Sequence, residues 1–275
     1  IDAVNSVGNL ILPNLLHELG CDVVKINGDL SGDFGREAEP IPDHLTDLRS
    51  LVEDEGADVG FALDPDGDRL AIIDEQGNTI GEEYTLALVT KYVLDHERGP
   101  VVINLSTSRA TEDTARAAGV ECYRTPVGEA HVAAEMDRVG AIIGGEGNGG
   151  VMLPSIHSGR DAMVGAALVL ACLAHEGNPL SVIHSRLPQY VLVKRRAPAV
   201  DIDTARLEPV LRAEFGDEAE YDTRDGVRVD MEDGWVQLRL SNTEPIVRIF
   251  AEARTQDLAN ILADRATEAF EGVSE

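Results

Sequence analysis

The chain is 275 residues long, which suggests two or three globular domains, and 43% of its residues are apolar. Its formal net charge of −27 repels nucleic acids and anionic membrane surfaces, so we expect neither as a partner. The longest apolar stretch, residues 162–174, is shorter than the roughly 18 residues of a membrane span and predicts a buried helix.

The acidic residues are scattered along the chain, and only three of its 23 basic residues are lysines. This composition is typical of a protein that works at high salt, where screening removes the self-repulsion of an acidic surface. An acidic protein from an ordinary environment is the alternative. Cys21, Cys122 and Cys172 lack the spacing of a disulfide framework or zinc site, which favours reduced thiols and a cytoplasmic protein.

The first part of the chain alternates between strand and helix patterns. Strands are predicted at residues 1–4, 21–27 and 57–63, helices at 8–20, 43–56 and 82–97, and a hairpin at 70–80. Gly20 and Gly56 end the first two helices, and the turn of the hairpin lies at residues 76–78.

A second unit with the same alternation begins near Gly99. Its strands are predicted at residues 100–105, 120–126 and 141–146, and its helices at 108–119, 128–140 and 159–177. Two consecutive units of similar size indicate two similar α/β domains.

After Arg196 the pattern changes. Residues 226–241 read as two strands joined at a turn, residues 245–253 as another strand, and residues 255–272 as an amphipathic helix. The sequence therefore predicts an α/β protein with two similar mixed α/β sandwich domains, followed by a small C-terminal α+β domain. We place the three domains at residues 1–98, 99–196 and 197–275.

The stretch DPDGDR, residues 64–69, places three carboxylates at alternate positions in a predicted tight loop between strands. Asp64, Asp66 and Asp68 are thereby expected to direct oxygen ligands at one hard cation. Mg²⁺ with a phosphate in its shell suits this loop, because Arg69 would supply a guanidinium for that phosphate. An acidic turn without a ligand is the alternative.

A calcium-binding EF-hand loop has a similar start but does not fit this stretch. Its sixth position needs glycine, where this chain has Arg69, and its flanks are helices, whereas the flanks here are predicted strands.

The stretch GGEGNGG, residues 144–150, formally contains the glycine spacing of a dinucleotide-binding loop. Such a loop continues directly into a helix, but the residues that follow here are extended and broken by Pro154. We therefore expect the glycines to admit a ligand to Glu146 and Asn148, whose side chains suit the vicinal hydroxyls of a sugar. A glycine-rich turn with solvated polar residues is the alternative.

The stretch RLSNTEPIVR, residues 239–248, combines hydroxyl and amide donors with a turn that exposes backbone N–H groups. Arg239 and Arg248 bracket the turn and could bind a phosphate through two N–H groups each. The alternative is that these arginines only pair with neighbouring carboxylates such as Glu244.

Together, DPDGDR, GGEGNGG and RLSNTEP resemble the metal, sugar and phosphate loops of the α-D-phosphohexomutase family. This family includes phosphoglucomutase, phosphomannomutase and phosphoglucosamine mutase. The resemblance covers essentially the whole chain, and the three loops correspond to the second, third and fourth domains of a four-domain fold. It implies that phosphate is exchanged between the 6- and 1-positions of a hexose through a phosphoserine and a hexose bisphosphate.

The resemblance also implies a role for each loop. Asp64, Asp66 and Asp68 would hold Mg²⁺, and Arg69 would steady the phosphoserine. The residues implied to bind the substrate are Glu146 and Asn148 at the sugar hydroxyls and Arg239, Ser241, Asn242, Thr243 and Arg248 at the non-reacting phosphate. Glu129 and His131 are candidates for the general acid or base.

The first domain of the family, which carries the serine, has no counterpart in this sequence. Because the chain opens on Ile1 in a strand-like stretch, we expect a missing N-terminal domain and no turnover by this fragment alone. GGEGNGG followed by HSGRDA resembles archaeal-type and related bacterial phosphoglucosamine mutases and phosphoglucomutases. We favour glucosamine phosphate as the substrate, with glucose or mannose phosphate as a close second. A non-catalytic sugar-phosphate-binding protein and a calcium-binding structural module are the alternatives.

Overall fold

The computed structural model describes residues 1–199, 204–241 and 244–274. The chain divides into two compact units, Ile1–Pro188 and Gln189–Glu275, which are described separately below. Within the described residues, none of the helices combines the length and the apolar character that a membrane crossing requires. The domain boundaries at residues 98 and 196 stay predictions.

The first half of the first unit is built around a β-hairpin. Its elements are α1 (Gly8–Glu18), α2 (Thr46–Glu55), β1 (Val59–Leu63), β2 (Leu70–Asp74) and α3 (Glu82–His96). β1 and β2 are antiparallel and end level with each other, with Leu63 opposite Leu70. The predicted tight loop between two strands is thus confirmed, and it starts from a hairpin whose residues are almost all buried.

The strands expected at residues 1–4 and 21–27 are wrong in extent. Only single parallel bridges form there, from Asp2 to Ile26 and to Ala62. The backbone turns away directly afterwards, because Val4 and Asn5 have φ angles of 49° and 54°. An extended strand cannot continue through that conformation.

The second half of the first unit contains a four-stranded sheet. Its elements are β3 (Val101–Asn104), α4 (Arg109–Ala117), β4 (Cys122–Thr125), α5 (Glu129–Val139), β5 (Ile143–Glu146), β6 (Gly150–Met152), α6 (Ala162–Glu176) and α7 (Leu180–Ser185). The order is β4-β3-β5-β6, with β3, β4 and β5 parallel and β6 antiparallel to β5. The carboxyl ends of the parallel strands, at Asn104, Thr125 and Glu146, lie at one edge, where α/β sheets bind ligands.

Two helices that follow loops of this unit have capped N-termini. The Ser108 hydroxyl accepts the Ala110 N–H at the start of α4. The Asp161 carboxylate accepts the N–H groups of Met163 and Val164 at the start of α6. The second cap fixes the segment immediately before α6.

The second unit is an antiparallel sheet covered on one side by helices. Its elements are β7 (Val191–Pro198), α8 (Leu207–Phe215), β8 (Glu220–Asp222), β9 (Val227–Asp230), β10 (Gly234–Leu240), β11 (Ile246–Ala253) and α9 (Gln256–Ser274). Its described strands are ordered β7-β11-β10-β9-β8. Val247, Ile249 and Ala251 alternate along β11 into a core shared with the apolar faces of α8 and α9. The expected α/β fold class, with a small C-terminal α+β part, is confirmed.

Candidate functional site

The loop between β1 and β2 gathers the three aspartates that the sequence singled out. Asp64 is buried, and its Oδ1 accepts the N–H groups of Asp68 and Arg69, each at 3.1 Å. Gly67 closes the turn with φ 73°. One carboxylate oxygen each of Asp64, Asp66 and Asp68 can be chosen so that the three oxygens lie within 4.8 Å of one another.

The electrostatics of this loop fit a bound cation. Burial, followed by hydrogen bonding and repulsion from Asp68, raises the pKa of Asp64 to about 7. Asp68 Oδ1 is buried and has no hydrogen-bond partner among the described residues, since Arg69 Nε, at 3.7 Å, is too far to donate to it. A donor set made only of carboxylate oxygens suits a hard ion such as Mg²⁺ rather than zinc or copper.

Arg69 lies beside these carboxylates. Its Nε is 3.4 Å from Asp64 Oδ2, and its Nη1 is 3.4 Å from Glu39 Oε1. The Nε atom is buried yet makes no hydrogen bond to any residue that the structure describes. The position predicted to bind a phosphate therefore carries a buried donor without an acceptor.

The glycine-rich loop connects β5 to β6 and touches the metal loop. The Leu70 N–H, directly after Arg69, donates to Gly149 O at 3.0 Å. Gly149 has φ 89°, and a Cβ there would lie 2.4 Å from Leu70 O, so only glycine fits this contact. A strand follows the loop where a nucleotide site would need a helix, which confirms that the loop is not of the dinucleotide-binding type.

Within this loop the two predicted sugar-binding residues differ in accessibility. Glu146 is only 3% exposed, and its Oε1 accepts from Asn104 Nδ2 and the Gly128 N–H, both at 2.8 Å. Asn148 is half-buried, and its Oδ1 accepts the Gly150 N–H at 3.2 Å. The Asn148 amide is thus the more accessible of the two groups, whereas Glu146 is held firmly at the end of β5.

Arg160, to which the sequence assigned no role, lies between the two loops. Its side chain is 15% exposed, its Nη1 donates to Glu146 Oε2 at 2.7 Å, and its Nη2 contacts Asp68 Oδ2. Its Nε is 3.3 Å from Glu129 Oε2. The sequence signal for this residue was its place in HSGRDA, residues 157–162, which carried part of the family resemblance but no assigned role.

Two residues that precede the metal loop in the chain also hold its backbone. The Ser6 hydroxyl donates to Pro65 O at 2.6 Å, and Arg36 Nη2 donates to Leu63 O at 2.6 Å. Neither residue belonged to a recognisable motif.

Of the two acid–base candidates, Glu129 accepts from Arg160, whereas His131 is exposed.

The predicted phosphate loop lies in the second unit, between β10 and β11. Arg239 and Arg248 are direct cross-strand partners there, and the Ser241 N–H donates to Ile246 O at 2.9 Å. The remaining two predicted phosphate ligands lie outside the described residues; they are Asn242 and Thr243.

The register of this sheet adds a third arginine. Arg196 on β7 is opposite Arg248, which is itself opposite Arg239. We call these three residues the arginine row; directly opposite residues share one face of the sheet, so their like charges repel. Asp225 and Glu244 approach Arg239 and Arg248 only to 3.7 and 3.6 Å, and Arg239 Nε makes no hydrogen bond to a described residue. The row is therefore suited to an anion.

Comparison with known proteins places these loops in context. Models of three domains of one family match consecutive parts of the chain. The α/β/α domain II of phosphoglucomutase/phosphomannomutase matches residues 1–77, the α/β/α domain III matches 81–190, and the C-terminal domain matches 191–269.

Individual proteins agree with these models. A probable phosphoglucosamine mutase of Methanopyrus kandleri is 38% identical over 96% of this chain and 59% of its own length. A phosphoglucomutase/phosphomannomutase of Thermococcus kodakarensis is also 38% identical, over 94% of this chain and 57% of its own. The crystal structure of a phosphoglucomutase/phosphomannomutase family protein from Burkholderia thailandensis is 28% identical and superposes with a TM-score of 0.86, covering 99% of this chain and 60% of that one.

The chain thus spans somewhat less than two thirds of the length of the proteins that it resembles. Within that span, the domain matches run in the order of the three predicted loops. On this evidence, the chain belongs to the phosphoglucomutase/phosphomannomutase family.

Proposed function

We propose that this chain supplies the metal-, sugar- and phosphate-binding parts of a hexose-phosphate mutase that interconverts 6- and 1-phosphates. The observation that carries the proposal is a set of unsatisfied atoms at the predicted ligand positions. Asp68 Oδ1, Arg69 Nε and Arg239 Nε are all buried without a hydrogen-bond partner among the described residues. A cation at the carboxylate oxygen and phosphate oxygens at the two guanidinium nitrogens would satisfy all three atoms.

The metal loop would act on the transferring phosphoryl group. Asp64, Asp66 and Asp68 would hold Mg²⁺, which offsets the negative charge that develops on that group. Arg69 would donate from Nε to one of the phosphoryl oxygens and fix its position beside the loop. The phosphate-carrying serine would come from a part of the protein outside these 275 residues, and the substrate hydroxyl would attack its phosphorus.

The arginine row would hold the phosphate that does not react. Arg239 and Arg248 each present a planar guanidinium that matches a phosphate through paired N–H donors. The Arg196 charge, abreast of them on the neighbouring strand, would strengthen the attraction. Ser241, Asn242 and Thr243 would add donors from the turn. The bisphosphate intermediate would turn over, so that its two phosphates change places. One such site would therefore serve both orientations.

The sugar itself would be bound at the glycine-rich loop, by the Asn148 amide and the remaining lone pair of Glu146. We propose glucosamine phosphate as the substrate, supported by the similarity to the probable phosphoglucosamine mutase. Glucose or mannose phosphate is the second candidate, since the phosphoglucomutase/phosphomannomutase of T. kodakarensis is equally similar in identity.

Binding to the 275-residue chain tests the proposal directly. Calorimetric titration should detect binding of Mg²⁺. It should also show a higher affinity for glucosamine 6-phosphate than for glucosamine without phosphate. Equal affinity for the phosphorylated and free sugars would contradict the phosphate site. Preference for Ca²⁺ over Mg²⁺ without sugar-phosphate affinity would instead support the calcium-binding module.

Turnover separates a mutase from a binding protein. The longer protein that includes the serine-bearing domain should interconvert glucosamine 6- and 1-phosphate when a hexose bisphosphate is added. The 275-residue chain alone should not. Turnover by the chain alone would place the nucleophile within these residues, and none by the longer protein would favour a non-catalytic role.

A further inference from the structure

Among the described residues of the first unit, Arg160 is the one side chain that forms ion pairs with both the metal loop and the glycine-rich loop. It contacts Asp68 Oδ2 from one terminal nitrogen and Glu146 Oε2, at 2.7 Å, from the other. Its Nε and its backbone N–H face Glu129, at 3.3 and 3.1 Å. One guanidinium thus serves three carboxylates that are distant in sequence.

The contact with Asp68 decides which oxygen atom this aspartate can offer a cation. Oδ2 is occupied by Arg160, while Oδ1 is buried and makes no hydrogen bond to a described residue. Arg160 therefore fixes the carboxylate in an orientation with one oxygen available. Losing this contact would release the carboxylate to rotate, since no other cationic group of the described residues holds Oδ2 by an ion pair.

The contact with Glu146 is made to a carboxylate that cannot move to follow Arg160. Glu146 Oε1 is fixed by Asn104 and by the Gly128 N–H, so Oε2 marks a constant position at the end of β5. Arg160 is in turn anchored by its backbone, because Asp161 next to it caps α6. Changes in how strongly Glu146 attracts the guanidinium must therefore alter its attraction to Asp68.

We propose that Arg160 is a positioning residue that couples the metal loop to the glycine-rich loop by sharing one guanidinium between Asp68 and Glu146. The inference rests on the proposed function for the metal role of Asp68 and the sugar role of Glu146. When a sugar hydroxyl donates to Glu146, the attraction of that carboxylate for Arg160 weakens, and Arg160 turns further toward Asp68. There its positive charge competes with the metal ion for the Asp68 carboxylate, which weakens Mg²⁺ binding. Sugar binding and metal binding are thereby linked, and each changes the affinity of the other by the same factor.

Mg²⁺ titration of four forms of the 275-residue chain tests this coupling: the wild type, Glu146→Gln, Arg160→Gln and the double variant. Glutamine at position 146 keeps an acceptor for Asn104 and Gly128 but presents an amide to Arg160. We expect Glu146→Gln to weaken Mg²⁺ binding about fivefold or more when Arg160 is present, and less than about twofold when Arg160 is glutamine. Arg160→Lys should restore part of the difference.

Equal factors in the two backgrounds would overturn the coupling, because a direct effect of the Glu146 charge acts whether Arg160 is present or not. The proposed function fails separately, and this inference with it, if the wild-type chain does not bind Mg²⁺ at all. Arg116→Gln is the matched control, since Arg116 is 70% exposed and pairs with Glu112 and Asp113 on the surface of α4. It should leave Mg²⁺ affinity unchanged.

A second variant protects the test against misfolding of Glu146→Gln. Glu129 is 40% exposed and also contacts Arg160, so Glu129→Gln removes a partner of the guanidinium at little risk to the fold. It should weaken Mg²⁺ binding in the same direction, by about twofold, and only when Arg160 is present. An unchanged affinity in Glu129→Gln together with equal factors for Glu146→Gln would contradict the proposal.

Discussion

The metal loop and the arginine row are both clusters of like charge, but the first is negative and the second is positive. In the first unit, Asp64, Asp66 and Asp68 crowd three carboxylates into one loop, and burial with repulsion raises the pKa of Asp64 to about 7. In the second unit, three arginines lie abreast on adjacent strands of a chain whose net charge is −27. Each cluster destabilises itself unless it binds a ligand of opposite charge.

The difference lies in how each cluster is held. The carboxylates sit in a turn fixed by backbone N–H groups and by the guanidinium groups of Arg69 and Arg160. The arginines sit on regular strands, and their register alone sets their spacing. A loop can adjust to a metal ion, whereas a sheet presents a rigid row that suits a phosphate of fixed shape. We therefore expect the two clusters to respond to different substitutions and different ligands.

The largest effect is expected for Arg248→Ala, at the centre of the arginine row. Removing a charged hydrogen-bond donor costs about 2–3 kcal/mol, or roughly 30- to 150-fold in affinity for glucosamine 6-phosphate. The melting temperature of the ligand-free chain should not fall, because the substitution also removes repulsion. Calorimetry and a thermal melt measure both.

Arg254→Ala is the matched control, because Arg254 is exposed and its guanidinium stacks 4.9 Å from the Tyr190 ring, away from the row. Its affinity for the sugar phosphate should equal that of the wild type. Unchanged affinity in Arg248→Ala would refute the phosphate assignment.

The next largest effect concerns the contact between the two loops of the first unit. Gly149→Ala forces a Cβ to within 2.4 Å of Leu70 O at a positive φ, which should destabilise the chain by about 2 kcal/mol more than a positive φ alone. Gly20→Ala is the control, since Gly20 has φ 85° with no atom within 4 Å of an added Cβ. Denaturant unfolding compares them, and equal losses would mean that the loops separate easily.

A smaller effect is expected for Arg196→Ala, at the edge of the arginine row. The residue is exposed, so its charge should contribute about 1 kcal/mol, or roughly fivefold, to phosphate affinity. The loss should shrink at high salt, because salt screens the interaction of an exposed charge with the phosphate. An affinity equal to the wild type at low salt would restrict the row to Arg239 and Arg248.

The last prediction concerns the folding stability of the metal-free chain and its dependence on pH, rather than ligand affinity. Because the pKa of Asp64 is raised to about 7, the folded chain keeps a proton that the unfolded chain has lost. Stability from Asp64 is therefore complete below about pH 4 and falls until about pH 7. Glu75 and Asp222, whose pKa values are lowered, act in a different range, since they lose their stabilising contribution only as the pH falls below about 4.

The contribution of Asp64 is isolated by subtracting the stability of Asp64→Asn, measured by chemical denaturation without Mg²⁺. The difference between wild type and variant should decline from about pH 4 to pH 7 and stay level above that. A difference that does not change with pH would show that Asp64 is ionised throughout.

Local spacing explains how much of the site the sequence could predict. Asp64, Asp66 and Asp68 meet because a single turn between two strands brings alternate residues together, and DPDGDR contains the turn residues as well. The glycine-rich loop could be separated from a nucleotide loop because the residues after it already read as extended. The α/β order followed from alternating patterns in the same way.

Tertiary contacts explain what the sequence could not predict. Arg160 meets Asp68 and Glu146 only once β5, β2 and the start of α6 have packed together. Arg196 aligns with Arg248 through a register that no local pattern encodes. The expected strand at residues 1–4 fails because Val4, a β-branched residue, adopts a positive φ that its side chain disfavours. The high-salt interpretation of the acidic composition stays a prediction.

The central claim is that the two charge clusters bind separate ligands of opposite charge. Its most direct test is to titrate the wild-type chain and Asp66→Asn with Mg²⁺ and with inorganic phosphate. Asp66 is exposed, so its replacement should leave the fold intact. We predict that Asp66→Asn loses most of its Mg²⁺ affinity and keeps its phosphate affinity. Mg²⁺ binding equal to the wild type, or loss of both ligands together, would contradict the account.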